Sequence, residues 1–222
     1  MSYASYPVPE DALGATDLID ADAPVVRETA DRVAGCTEGS EAVRLLFDHV
    51  RDEVAYEMAP RFDEGRDEWK ASATLERGYG FCQQKAVALA ALLRARGIPA
   101  GIVVQDLQDH KIPAHYVEFI GSQRLEVHGL TCAYVDGDWV RLDPTLPRAL
   151  CERKRYRLAE YDGAGDAVLA ETDLDGEPHF GVLEELGTWP DMPDEIVEHT
   201  LGIEWLRQPE YTRMARRHGP GM

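Results

Sequence analysis

Three residues in this sequence have types and spacing that could make and break an acyl bond: Cys82, His128 and Asp143. A thiol attacks as its thiolate, and the imidazole that takes its proton works best when a carboxylate orients it. Cys82 follows Gly78-Tyr79-Gly80-Phe81 and opens a long apolar run. A helix start at that point would aim unpaired N–H groups and a partial positive charge at the sulfur, favouring thiolate. Gly80 would let backbone and substrate approach closely. The bland alternative is a small hydrophobe packed at a helix end.

Asp136-Gly137 is a strong two-residue hairpin signal between Leu125–Val135 and Asp138–Leu142. With that turn, Val135 pairs with Asp138, Tyr134 with Trp139, and Leu130 with Asp143. Cross-strand partners share a face, as do residues two apart on one strand. His128 then lies diagonal to Asp143, with Cβ atoms about 7–8 Å apart, within reach of a hydrogen bond. The expected contact is therefore a strand histidine, an orienting carboxylate and a helix-start thiol.

Other residues compete for roles. His115 has Glu118 nearby, but 28 residues separate it from Asp143 and it falls on a different predicted strand; it reads as a site wall or surface histidine. His179, beside Phe180, could border the site. His49, His110, His199 and His218 read as solvated. Leu130 and Cys132 should share the His128 face and line its neighbourhood. Cys36 reads as packing, and Lys85 as solvating the helix end. The backbone N–H of Cys82 is the natural first oxyanion donor. Trp69, thirteen residues earlier, reads on its own as an apolar staple under the loop.

The elements that must position these residues follow from periodicity. Pro24 suits a helix start. Val43, Leu46, Phe47, Val50 and Val54 form one apolar stripe over 40–54. The stretch 57–69 reads as a polar loop, with Ser72 capping a short helix after it. The helix from 82 is apolar on nearly every side, the mark of a central one, and Gly97 with Pro99 ends it. Strands fit Ala100–Val104 and 114–120 besides the hairpin, and 194–206 has helical spacing. Residues 1–22 read as a loose lead-in, 163–177 as loop and the C-terminal end as disordered. The expected class is α+β: one domain over 1–222, with a core of about 40–146 and an extension, 147–222, packed on it.

Composition narrows the partners. The 222 residues carry 23 Lys+Arg against 41 Asp+Glu, a formal charge of −18 that repels phosphate backbones, so no nucleic-acid partner is expected. Five basic residues cluster in 148–157. The chain has four lysines; a high-salt interior and GC-rich codon usage explain that equally. No apolar run reaches the roughly 20 residues that span a bilayer, and the N-terminus lacks the pattern of a signal peptide, so a cytoplasmic setting is expected. The four cysteines, Cys36, Cys82, Cys132 and Cys151, form no CxxC pair, which argues against both a disulfide scaffold and a zinc ribbon.

GYGFCQQKAVALAALLRARGIPA resembles the cysteine segment of the transglutaminase-like superfamily, within the wider papain-like class of thiol enzymes. HGLTCAYVDGDWVRLDP is similar to that superfamily's histidine–aspartate hairpin, and the fifteen-residue step from His128 to Asp143 is its usual step. The resemblance covers about residues 40–146. It departs in two places: Leu130 stands near the usual aromatic residue after the histidine, and Cys132 at a position that is often acidic. The resemblance implies a papain-like core and acyl transfer at an amide through a Cys82 thioester, with His128 as base, Asp143 as orienter and, since such folds usually take a second oxyanion donor from a side chain upstream of the cysteine, Trp69 as the candidate. Water or an amine would resolve the thioester, with an amide- or peptide-containing substrate and no cofactor or metal. The alternative is a non-catalytic scaffold of the same fold that binds peptides or a protein. A weaker one is thiol–metal binding by Cys82, Cys132 and His128.

Overall fold

Two amphipathic helices come first in the computed structural model, which describes residues 6–57 and 65–209. Helix α1 (Pro24–Ala34) starts on Pro24, and α2 (Gly39–Glu53) buries Val43, Leu46, Phe47 and Val50. A short strand, β1 (Ala55–Tyr56), runs parallel to β2 (Tyr79–Gly80), with Tyr56 opposite Gly80. Between them lie a 3₁₀ turn, Gly65–Trp69, and α3 (Ala71–Arg77), which ends at Gly78 in the left-handed conformation. Helix α4 (Cys82–Ala95) is buried from Gln83 to Arg94. A helix without a polar face can only be central, and α1, α2 and α3 pack around it while the sheet takes its remaining side.

The sheet contains β3 (Ala100–Asp109), β4 (Arg124–Val135), β5 (Asp138–Leu142) and β6 (Phe180–Trp189) in the antiparallel order β5-β4-β3-β6. Helices α5 (Ala114–Ile120), α6 (Arg148–Lys154) and α7 (Asp194–Gly202) lie in the connections and after the last strand. This is the expected α+β class. The hairpin register is also the expected one, with Tyr134 opposite Trp139 and Val135 opposite Asp138. Asp136 and Gly137 both have positive φ, 55° and 97°, as a two-residue turn of this hand requires.

Several elements differ from expectation. Residues 114–120 form a helix despite their β-branched and aromatic content: Pro113 leads in and Gly121 closes the turn in the left-handed region. Strand β6 is an unpredicted fourth strand on the free edge of β3. The lead-in is anchored, because Leu18 and Ile19 are fully buried. Ser72 does not cap α3; its N–H and hydroxyl both donate to Asp20. Helix α7 stops at Gly202, with a separate 3₁₀ turn over Trp205–Arg207. Most of the predicted loop at 57–69, together with His218 and the C-terminal end, lies outside the described residues.

Gly129 controls how closely α4 sits on the sheet. A Cβ built there would stand 3.0 Å from Gln83 Cα and 3.1 Å from its Cγ, and the first of these is backbone that cannot swing aside. Gly129→Ala should therefore push the start of α4 away from β4 and cost about 1–3 kcal/mol, the range for overpacking. Thermal denaturation should show the midpoint falling by roughly 2–4 °C per kcal/mol. An unchanged midpoint would mean that this contact gives freely.

Candidate active site

The start of α4 is fixed by two glutamines. The Phe81 N–H donates to Gln84 Oε1 at 3.2 Å, and Gln84 Nε2 donates to the Glu68 carbonyl at 2.9 Å. Gln83, next to the thiol, accepts the Trp69 indole N–H on Oε1 at 2.8 Å. Its Nε2 donates to the Val127 carbonyl at 2.8 Å and to Thr200 Oγ1 at 2.9 Å. One buried amide thus joins the 3₁₀ turn, β4 and α7 around Cys82, which is itself half-buried. Trp69 is fully buried, edge-on to Phe81 at 5.6 Å, with its N–H turned to Gln83.

His128 and Asp143 are both buried, and Asp143 Oδ2 lies 2.7 Å from His128 Nε2. The other carboxylate oxygen, Oδ1, accepts the Thr145 N–H at 3.0 Å. Cys82 lines the same cavity wall as this imidazole and acts electrostatically on it; with Nε2 taken by Asp143, Nδ1 is the nitrogen left for the thiol. Burial disfavours a cationic ring, but the Asp143 charge and the Cys82 sulfur outweigh it and lift the His128 pKa to about 10. For Asp143, burial acts to raise the pKa, yet the His128 cation and the Thr145 N–H bring it below the ordinary carboxylate value. Each member of this pair compensates the charge of the other.

A cavity of about 520 Å³ opens onto Cys82 and His128. Its walls are apolar where Phe81, Ile120, Leu125, Val127, Ile203 and Leu206 meet, and polar where Arg124, Glu126, His199 and Glu204 meet. Tyr56 and Trp205 also line it. His199, expected to be solvated, is exposed but stands on this rim, 3.2 Å from Glu126. Val127, immediately before His128, has a positive φ of 51°, and its N–H donates to Asp106 Oδ1 at 2.8 Å. The β3–β4 register shifts nearby, between Gln105 and Leu107. Irregularities of this kind re-aim side chains and cluster near sites.

The remaining candidates are placed elsewhere. Gly80 is covered by Gln84 and Thr74, which a Cβ would meet at 3.0 and 3.3 Å, so it serves a close approach within the chain. Leu130 and Cys132 pack with Val103, Tyr6 and Trp139 and do not line the cavity. His115 lies on α5, stacked at a tilt on Tyr116, rather than on a strand. His179 is buried between Tyr156 and Phe180 and is likewise not in the cavity wall; burial lowers its pKa to about 4, keeping it neutral. His49 is half-buried and His110 exposed. Cys36 is exposed, and all four cysteines are free. Among the described residues, no group of three or more His, Cys, Asp or Glu side chains could hold a metal ion. Lys85 does not reach solvent; it is fully buried. Sequence reasoning passed over Gln83 and misplaced Lys85 at a solvated helix end; their partners lie up to 117 residues away, and the chain carried no local signal for either.

Residues 27–144 match the family model of the transglutaminase-like superfamily. Among solved structures, a protein described as a candidate cysteine protease from Cytophaga hutchinsonii aligns over 81% of this chain and 46% of its own, at 19% identity and a TM-score of 0.51. A likeness at that identity speaks for the fold. The periplasmic domain of TgpA from Pseudomonas aeruginosa, bound to ethylmercury, is 27% identical over 55% of this chain and 43% of its own, with a TM-score of 0.40. A candidate protease from Parabacteroides distasonis is 17% identical over 62% of this chain and 27% of its own, with a TM-score of 0.36. The chain spans less than half the length of each of these structures. No curated protein matches it. In the described residues no helix is long and apolar enough to cross a membrane. With more than half of its length matching the family model, the chain belongs to the transglutaminase-like superfamily, whose members are generally cysteine-dependent enzymes.

Proposed function

We propose that the protein transfers acyl groups from a peptide-type amide through a thioester on Cys82. His128 serves as base and acid, and Asp143 orients it. The observation that carries this reading is one imidazole held at 2.7 Å by a buried carboxylate, with a half-buried thiol beside it on the lining of one cavity. Cys82 Sγ attacks the carbonyl carbon as a thiolate, its proton already resting on the His128 imidazolium. The negative charge that develops on the carbonyl oxygen meets the backbone N–H of Cys82 at the helix start. The C–N bond then breaks, and His128 returns the proton to the departing amine. Water or a second amine attacks the thioester, again giving its proton to His128, and releases an acid or a new amide.

These steps need no cofactor. Trp69, with its N–H engaged by Gln83, supports the site from behind rather than from within the cavity. The apolar walls suit a substrate with an apolar side chain beside the scissile amide, and Ile203 and Leu206 bring the C-terminal extension into the same working unit as the core. The partners are therefore an amide- or peptide-containing substrate and, where transfer prevails, an amine acceptor, with neither nucleic acid nor membrane involved. Four free thiols fit a reducing, cytoplasmic setting.

Incubation with short peptide amides of varied side chain, followed by intact-protein mass spectrometry, should show an acyl adduct on Cys82 that forms faster with apolar than with acidic side chains. Cys82→Ala should abolish turnover, and His128→Ala should lower it by about 10²–10⁴-fold. His115→Ala should have a far smaller effect. Turnover by Cys82→Ala at the wild-type rate would remove the thiol from the mechanism.

The raised His128 pKa also predicts a pH dependence of stability. A group that holds its proton more tightly in the folded state contributes stability fully below its ordinary value of 6.5, and loses that contribution as the pH rises through about 10. Denaturant titrations across that window should show the wild type losing stability relative to His128→Gln. Parallel curves would contradict the ion pair.

A further inference from the structure

Lys85 lies one helical turn beyond Cys82 on α4 and is fully buried. Its ammonium donates to the Arg51 carbonyl at 3.0 Å and the Thr145 carbonyl at 3.2 Å. A cation in the first turn of a helix opposes the helix dipole, and its burial carries a penalty of several kcal/mol. An apolar side chain of similar length would fill the same space without that penalty. What the ammonium reaches is the segment that holds Asp143. The Thr145 N–H donates to one Asp143 oxygen at 3.0 Å, and the other oxygen lies 2.7 Å from His128. The residue that fixes the carboxylate is thus itself fixed, through its carbonyl, to the helix that bears Cys82.

We propose that Lys85 is a positioning residue, tying the Asp143–Thr145 turn to α4 so that Asp143 is held on His128 while Cys82 is held beside it. This rests on the Cys82–His128–Asp143 reading given above. The titratable groups whose charges act on the ammonium are Asp143, Asp52, Arg51 and Cys151. Burial lowers its pKa to about 7 against the pull of Asp143 and Asp52, while Arg51 adds to the lowering. The Cys151 thiol, pushed up to about 11 chiefly by burial, stays neutral near pH 7. The charged form of the tie therefore gives way near neutral pH, where its influence on His128 can be followed.

The test is the pH profile of Cys82 alkylation by iodoacetamide, read by mass spectrometry in the wild type, Lys85→Met, Lys85→Gln and His128→Gln. A thiol paired with an imidazolium stays reactive well below the ordinary thiol pKa of about 8.5. Lys85→Met should lose about tenfold or more of the rate near pH 6 and approach the wild type above about pH 9. Lys85→Gln, whose amide can still donate to a carbonyl, should recover part of that loss. A Lys85→Met profile that matches the wild type, with only the melting temperature lowered, overturns the proposal. If His128→Gln also matches the wild type, the Cys82–His128 reading fails first and takes this proposal with it. Should Lys85→Met not fold, NMR of the wild-type protein decides. Titration of Lys85, followed at its Cε, should be mirrored in the His128 Nε2–H resonance, and a His128 signal that stays fixed while Lys85 titrates overturns the tie.

Discussion

The buried carboxamide of Gln83 is the constraint on which the site geometry rests. Every buried donor and acceptor must find a partner or carry a desolvation penalty of about 1–3 kcal/mol. Gln83 has three such partners, and they lie in three elements separated in sequence: Trp69, Val127 and Thr200. Its neighbour in the chain is Cys82, and the neighbour of Val127 is His128. Satisfying one amide therefore brings thiol and imidazole together. Gly129 allows the approach because a side chain there would meet the Gln83 backbone.

Charge is arranged around the same helix. Asp143, His128, Lys85 and Arg51 are all buried; Asp143 pairs with His128, Arg51 with Asp52, and Lys85 donates to backbone carbonyls. Arg51 donates to Asp52 and to the Ala159 carbonyl, and its own carbonyl accepts Lys85. Breaking one member of such a set leaves the others uncompensated, a larger loss than any single bond suggests. The acidic surface lies outside this arrangement. A formal charge of −18 bears on solubility and on which partners approach, whereas the site chemistry depends on a few interior charges held at fixed distances.

Sequence carried the local signals well. Asp136-Gly137 set the hairpin register, and register decides which residue faces Asp143. The absence of a polar face marked α4 as central, and Cys82 stands at its first position. What sequence could not carry was set at long range. Residues 114–120 have strand-like composition, but Pro113 and Gly121 bracket a helix. Strand β6 forms because β3 has a free edge, which neither segment announces alone. Alternation suggested that Leu130 and Cys132 would line the site with His128. Residues two apart on a strand stand about 6–7 Å apart, however. The cavity reaches His128 and stops there, while Leu130 and Cys132 close a separate cluster under Tyr6 and Trp139.

The family match ends at residue 144, yet much of the cavity wall comes from beyond it. Thr200 holds Gln83 from α7, and Ile203, Glu204, Trp205 and Leu206 face the space beside Cys82. The segment that anchors the helix start and the segment that shapes the cavity are thus one continuous stretch of chain. A change there that altered the cavity would also pull on the amide beside the thiol. Thiol, imidazole and carboxylate come from the shared core, together with the greater part of the cavity wall, and the segment beyond the core completes that wall. Two proteins with the same core residues could then differ in the shape of this cavity through the segment that follows the core, because residues 199–206 complete the wall here.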